Sequence, residues 1–247
     1  MKLPEDPNRD FPFYQGNPVS LTTAHWCFLI ALVGIAFALL IVPIPWPGGE
    51  LGAFIPAILF PLIPLLGLSW VSKGNAASLF GRVGLREIKL MILFALLNIA
   101  VTFVVGGIVQ ATLGAHANPA IATANQLSPG GLAIFLSKTA AQLVGEEVLT
   151  IIPLLALMHW LVACSGMNRS RSLLISWLAT AVIFGLLHLP TYNWDFVQCV
   201  VIIGTARLVL SLAYIKTKNL WVSSGAHIIN DTFLILVNVL GSSLVQP

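Results

Sequence analysis

Seven long apolar runs constrain the fold of this 247-residue chain more than any other feature. About 20 mostly apolar residues are enough for a helix to cross the hydrocarbon core of a bilayer. The runs cover residues 23–44, 51–71, 90–110, 131–163, 172–190, 196–215 and 220–241. They predict an all-α fold, a polytopic transmembrane bundle of about seven or eight helices, in which the proline-rich second run is the weakest helix.

The composition excludes an ordinary soluble domain. Hydrophobic residues make up 57% of the chain and charged residues 9%, whereas soluble proteins carry about 25% charged residues. The basic residues are dispersed and are not interleaved with aromatic ones, so we expect no nucleic-acid partner. Cys27, Cys164 and Cys199 lack CxxC spacing, which supports neither a disulfide framework nor a thiolate metal site.

Two parts are expected along the chain, a polar extramembrane tail at 1–21 and an integral membrane domain at 22–247. The tail, "MKLPEDPNRDFPFYQGNPVSL", lacks the charged start, short apolar core and cleavage site that mark a signal peptide, in that order. Residues 111–130 are expected to form a loop. The segment "LFGRVGLREIK" at 79–89 is predicted either to lie on the membrane interface or to be an ordinary basic loop.

The distribution of basic residues predicts the orientation. With seven crossings, ten of the 12 Lys and Arg residues fall on one side of the membrane. They are Lys2, Arg9, Lys73, Arg82, Arg86, Lys89, Arg169, Arg171, Lys216 and Lys218. Because cytoplasmic loops are rich in Lys and Arg, we expect a cytoplasmic N-terminus. The chain has no eukaryotic sorting signal, so we expect a bacterial plasma membrane, with lipid as a partner.

A short set of ionisable residues falls inside the apolar runs. It comprises Lys138, Glu146, Glu147, His188, Arg207, His227 and Asp231, with His159 nearer a helix end. Such residues usually face the bundle interior and mark function. Most of them form three local patterns on three helices, namely "EE" at 146–147, "FGLLH" at 184–188 and "HIIND" at 227–231.

The spacing within these patterns determines which side chains share a helix face. His227 and Asp231 are four residues apart and therefore share a helix face, as do Phe184 and His188. Asn230 points about 100° away from Asp231. Asp231 is thus placed to orient the ring of His227 or to share its role as an acceptor.

The adjacent acids Glu146 and Glu147 diverge by about 100° around their helix. One can face a shared cavity while the other faces a helix partner. A carboxylate in a damp pocket can take a proton from water, and the imidazoles of His188 and His227 can donate to a developing oxyanion. Glu146, His188 and His227 could instead hold a metal ion that activates water.

Taken singly, most of these residues have a simpler interpretation. Lys138, Arg207 and His159 are expected to form ion pairs or to extend toward the interface, and Phe184 is expected to form a wall of the pocket. A functional interpretation is favoured for the three patterns together, because three different helices contribute to them.

The ordered trio resembles the CAAX-protease and bacteriocin-processing family of intramembrane proteases, also called CPBP or Abi. The motifs of that family are EExxxR, FxxxH and HxxxN/D, in this order, on separate transmembrane helices. The resemblance covers a protease-like core at 131–241, close to half of the chain.

The resemblance implies a role for each matched residue. Glu146 corresponds to the glutamate that activates water, and Glu147 to its supporting neighbour. His188 is similar to the FxxxH histidine. His227 and Asp231 match the last motif, the pair implied to hold the oxyanion or to help bind a metal. The cofactor stays open, either a divalent metal such as zinc or none.

The resemblance also implies a hydrolase that cleaves a prenylated or membrane-associated peptide, or a lipidated protein. Two alternatives are a catalytically degenerate membrane protein that serves in bacteriocin immunity or as a scaffold, and a proton-coupled carrier. The carrier is less favoured, because many transporters contain inverted repeats and no repeat is visible in this sequence.

One position departs from the family pattern. The first motif should end in Arg, but Ile151 stands there. We expect Arg207 or Lys138 to supply the missing cation to Glu147. Arg207 is the better candidate because a guanidinium can pair with a carboxylate through two nitrogens.

Depth along the helices presents a second difficulty. Counted from the outer face, Glu146 lies near mid-membrane and His188 only two residues from the end of its run, a mismatch of roughly 20 Å. Either the fifth helix extends further outward, or the site opens toward the outer half, or a boundary of a run is wrong.

Overall fold

A computed structural model describes residues 3–6 and 9–245, which are 78% helical and contain no strand. The predicted all-α class is confirmed. The α-helices are α1 (Thr23–Ile41), α2 (Phe54–Val71), α3 (Leu85–Thr112), α4 (Pro119–Ala124), α5 (Pro129–His159), α6 (Arg169–Leu187), α7 (Gly204–Thr217) and α8 (Leu220–Val245). Short 3-10 helices occupy Gly49–Ala53, Asn75–Leu79 and Leu189–Tyr192, and π-helical turns occupy Trp160–Cys164 and Gln198–Ile203.

Within the described part of the chain, seven helical stretches are long and apolar enough to cross a bilayer. They are Thr23–Ile41, Leu51–Val71, Leu85–Thr112, Pro129–Cys164, Arg169–Leu187, Gln198–Thr217 and Leu220–Ser242. Each overlaps one of the seven predicted runs. The chain is therefore an integral membrane protein.

Two expectations about connecting segments need correction. Residues 111–130 are not all loop, because α4 forms there. Its start is favoured by Asn118, whose side chain accepts from the backbone N–H of Ala120, and by Pro119 at the first helical position. The segment 79–89 is not one loop either, since its last five residues are the first residues of α3.

The second run forms a helix despite its prolines. Pro61 and Pro64 lie inside α2, where each removes a backbone donor. Membrane helices tolerate such breaks when neighbouring helices surround them, and α2 packs between α1 and α5. A β-carbon at Gly145 of α5 would overlap the ring of Phe60 of α2, so this glycine allows the close approach of the two helices.

The N-terminal tail folds against one end of the bundle, which we call the tail end. Its Phe11, Phe13 and Tyr14 are buried, and Arg9 donates to the carbonyl groups of Ser78 and Phe80 in the α2–α3 connection. The other end, which we call the cavity end, carries the α3–α5 and α6–α7 connections. Lys2, one of the basic residues counted for orientation, lies outside the described residues.

Candidate active site

A cavity of about 580 Å³ lies between the helices and reaches the cavity end of the bundle. It brings together nearly every residue that the sequence singled out. Those that line it are Lys138, Glu146, Phe184, His188, Arg207, His227, Asn230 and Asp231. Glu147 does not line it and is completely buried behind the cavity wall.

The two adjacent acids of α5 have different environments, as their 100° divergence requires. Glu147 accepts from Nη1 of Arg207 at 2.5 Å and from Nδ1 of His227 at 2.9 Å. Glu146 has a side chain that is 14% exposed, and its Oε1 accepts from the amide of Gln142 at 3.2 Å. The carboxylate of Glu147 is therefore held by two hydrogen bonds, whereas part of the carboxylate of Glu146 is exposed to the cavity.

Arg207 of α7 supplies the cation that Ile151 does not. Ile151 is itself buried in the apolar core. The guanidinium of Arg207 also stacks 3.8 Å from the centroid of the Phe184 ring. The pairing is not bidentate, because Nη2 of Arg207 lies 3.3 Å from Nδ1 of His227 rather than against the second oxygen of Glu147. Arg207 and the Nδ1–H of His227 thus both donate to the same oxygen of Glu147, and the two donor nitrogens lie side by side without bonding each other.

Glu147 determines which nitrogen of His227 faces the cavity. A carboxylate oxygen only accepts, so Nδ1 carries the proton that Glu147 receives. Nε2 of His227 is then left 3.9 Å from Oε2 of Glu146 and 3.7 Å from Oδ1 of Asp231. These separations are too long for direct hydrogen bonds. They are suited to a water molecule that bridges the groups.

His188 is oriented by its own helix. Its Nδ1 lies 2.8 Å from the carbonyl oxygen of Phe184 and donates to it, and the two rings are 4.6 Å apart between centroids. The Nδ1 proton is therefore used, and Nε2 remains for chemistry in the cavity. In the neutral ring Nε2 is an acceptor, and in the doubly protonated ring it is a donor.

The apparent depth mismatch arose from counting from the outer face. The helices α5 and α6 are joined by a π-helical turn and a short connection, and they pack against each other. Glu146 is 18 residues before Cys164 (164 − 146), and His188 is 19 residues after Arg169 (188 − 169). Both are about 27–29 Å from the connection at 1.5 Å per residue, so they lie at one level. The fifth predicted helix does not extend further outward, because α6 ends at Leu187.

Some polar residues of the cavity were missed by the sequence reasoning. Asn98 of α3 donates to Asn230 at 3.0 Å, and Asn230 donates to Asp231 at 2.8 Å. The signal for Asn98 was an amide near the middle of a mostly apolar run. Gln142 was visible as the residue four positions before Glu146.

Tyr192 also lines the cavity, from the 3-10 turn after α6. Burial, with added repulsion from Asp231 and Glu146, raises the pKa of Tyr192 to about 12. The phenol therefore stays protonated and presents a neutral O–H donor. No pattern in the sequence pointed to it, because it lies in a connection.

The donor set does not fit a metal ion. In residues 3–6 and 9–245, no group of three or more His, Cys, Asp and Glu side chains is arranged to hold one. The expected set of Glu146, His188 and His227 therefore does not form a metal site in this geometry.

Comparison with protein families found a match in the second half of the chain. Residues 128–233 match the model of the family described as Type II CAAX prenyl endopeptidase, Rce1-like. No curated protein and no solved structure matched the chain. The matched range contains all three motifs, so the resemblance drawn from them is confirmed. Residues 128–233 thus match an Rce1-like type II CAAX prenyl endopeptidase domain, which is consistent with a CPBP family intramembrane protease.

Proposed function

We propose that this chain is an intramembrane endopeptidase in which Glu146 activates the water that attacks the peptide bond. The family match supports an intramembrane endopeptidase in general. The observation that supports the proposed mechanism is the contrast between the two adjacent acids. Glu147 is buried and accepts hydrogen bonds from Arg207 and His227. Glu146 borders the cavity, near the free Nε2 of His227.

The nucleophile is a water held between Glu146 and His227. A water about 2.8 Å from each group fits between atoms that are 3.9 Å apart. It gives one hydrogen bond to Oε2 of Glu146 and the other to Nε2 of His227 when that ring carries its proton on Nδ1 alone. Its lone pairs are then free to face the scissile carbonyl.

Bond making and breaking need two proton transfers. The water oxygen attacks the carbonyl carbon while Glu146 takes a proton, which is general base catalysis. The tetrahedral intermediate carries an oxyanion, which receives a hydrogen bond from Tyr192 and a second one from His188 when that ring also carries a proton on Nε2. Glu146 then returns its proton to the peptide nitrogen as the C–N bond breaks. The products are a new amine and a new carboxylic acid, which loses its proton to solvent.

The second cavity favours a lipidated or membrane-associated substrate. It has a volume of about 300 Å³ and shares Glu146 and His188 with the first cavity. Its other lining residues are mainly apolar, among them Phe37, Leu40 and Phe60 of α1 and α2. An apolar chain attached near the scissile bond would therefore find apolar surface beside the reacting groups.

The test is cleavage by the purified protein in lipid nanodiscs. The substrates are a farnesylated peptide with three residues after the modified cysteine and its unmodified counterpart. Glu146→Gln is expected to lower kcat by about 10²–10⁴, the usual contribution of a general base. Glu87→Gln at the start of α3, outside the cavity, is the matched control and should cleave like wild type. Full activity of Glu146→Gln would remove Glu146 from the mechanism.

A further inference from the structure

Lys138 is a cation inside the cavity that the mechanism leaves unused. It is half-buried, and its Nζ lies 5.1 Å from the centroid of the Phe135 ring. Among the described residues it forms no ion pair. Arg207, the other Lys or Arg that lines the cavity, is already paired with Glu147. Lys138 therefore has charge available for an anionic ligand.

Lys138 stands on the same face of α5 as the proposed base. Lys138, Gln142 and Glu146 follow each other at intervals of four residues, and all three line the cavity. Eight residues of α-helix correspond to about 12 Å along the axis. The cavity thus has an acid and a cation at a fixed separation along one helix.

We propose that Lys138 binds the free C-terminal carboxylate of the peptide substrate and so places the scissile bond a few residues from the chain end. This inference rests on the proposed function. Three extended residues span about 10–11 Å, close to the separation between Lys138 and Glu146. An ammonium and a carboxylate form a strong charge-assisted hydrogen bond.

Charge also fixes the direction of the bound peptide. Glu146 and Asp231 face the reacting end of the cavity and repel a carboxylate there. The chain end is therefore directed toward Lys138, and the residues before the scissile bond lie on the side of the second cavity. A longer C-terminal segment would carry its carboxylate past Lys138, and a C-terminal amide would leave the lysine unpaired.

Binding to the intact protein tests the inference separately from catalysis. The probe is a fluorescent farnesylated peptide with three residues after the cysteine, made as the free acid and as the C-terminal amide. Its Kd is measured on wild type and on Glu146→Gln in nanodiscs. The free acid is expected to bind about tenfold more tightly than the amide to both proteins, the effect of one charged hydrogen bond.

Lys138 variants assign the preference to this side chain. Lys138→Met is expected to bind acid and amide equally, at the amide affinity of wild type, which also shows that the variant is folded. Lys138→Arg should keep most of the preference. Lys89→Met, which removes an exposed lysine of α3, should keep all of it. Equal binding of acid and amide by wild type, or an acid preference that survives in Lys138→Met, would overturn the proposal.

The two proposals fail differently. An acid preference without cleavage by wild type would contradict the endopeptidase and leave Lys138 as a carboxylate-binding residue. Cleavage at the same rate for acid and amide peptides would keep the endopeptidase and eliminate the role of Lys138. In the cleavage assay the loss in Lys138→Met is expected in KM for the free acid, with kcat unchanged.

Discussion

The two ends of the bundle use charge in different ways. At the tail end, Arg169 lies 2.6 Å from carboxylate oxygens of both Glu5 and Asp10, and Lys218 lies 3.1 Å from Glu5. In the cavity, Oε2 of Glu146 is 3.9 Å from Nη2 of Arg207 and 3.9 Å from Nε2 of His227. Charges that hold the chain together are in direct contact, whereas the charges around Glu146 leave room for a water molecule.

The two kinds of environment, direct ion-pair contact and a charge facing the cavity, occur at adjacent residues. Glu147 is in direct contact with its partners, as the charges at the tail end are, although its neighbour Glu146 borders the cavity. A buried charge is stabilised by its partner, and removal of one member of the pair strongly destabilises the fold. Substitution of a side chain that borders the cavity costs the fold little stability but can abolish catalysis. This difference can be tested from both sides.

The largest expected effect is on stability, from Arg207→Met. It leaves Glu147 and His227 without their cation in a site from which water is excluded. Breaking such a pair costs about 3–5 kcal/mol, so we expect a much lower midpoint of unfolding in detergent and loss of cleavage. The double variant Glu147→Leu with Arg207→Met should recover most of the stability but none of the cleavage.

Glu146→Gln provides the matched contrast on the neighbouring residue. Its unfolding midpoint should stay close to that of wild type while cleavage is lost. A loss of stability in Glu146→Gln as large as that in Arg207→Met would mean that the two acids share one structural role. The distinction between a paired Glu147 and a cavity-facing Glu146 would then be wrong.

A smaller effect is expected from Tyr192→Phe. Removal of one donor to an oxyanion lowers kcat by about 10²–10³, and we expect the lower end because His188 remains. The unfolding midpoint should change little, since the phenyl ring still fills the same space. Because the pKa of Tyr192 is raised to about 12, the hydroxyl contributes equally at pH 6 and pH 9. A kcat in Tyr192→Phe equal to that of wild type would remove it from the mechanism.

The sequence predicted the membrane fold well because hydrophobic length is a local signal. Each of the seven runs overlaps a helix, even the run with Pro61 and Pro64. The separate environments of Glu146 and Glu147 also followed from helix geometry alone. The absent arginine at Ile151 indicated that another cation was needed, but only the packing of α7 against α5 identified it as Arg207.

The rest of the site depended on contacts between distant parts of the chain. Asn98 and Asn230 are 132 residues apart, and Tyr192 comes from a turn outside every run. The tail was equally hidden, because the contact between Glu5 and Arg169 joins residues 164 positions apart. Neither periodicity nor hydropathy carries information about such pairs, since both describe only neighbours along one helix.

The smallest expected effect is at the tail end, from Arg169→Met. Its partners are partly exposed, so the loss of stability at pH 7 should be about 1 kcal/mol or less. Arg171→Met, two residues along the same helix on an exposed side chain, is the control and should be neutral. The unfolding midpoint in detergent measures both variants.

The pH dependence of the Arg169→Met effect identifies its cause. Burial raises the pKa of Glu5 and of Asp10, but hydrogen bonds outweigh it and lower both below their ordinary values of 4.5 and 3.8. The largest of these comes from Arg169 in both cases, with Lys218 adding to it at Glu5 and the backbone of Phe11 at Asp10. Carboxyl groups with a lowered pKa stabilise the fold fully above their unfolded values, and this contribution is lost as pH falls through the folded values. The difference between wild type and Arg169→Met should therefore be constant above about pH 5, shrink as pH falls below the unfolded values, and disappear once pH is below the lowered folded values. A difference that persists unchanged at pH 3 would show that Arg169 acts through packing against Phe11 and Tyr14 rather than through charge.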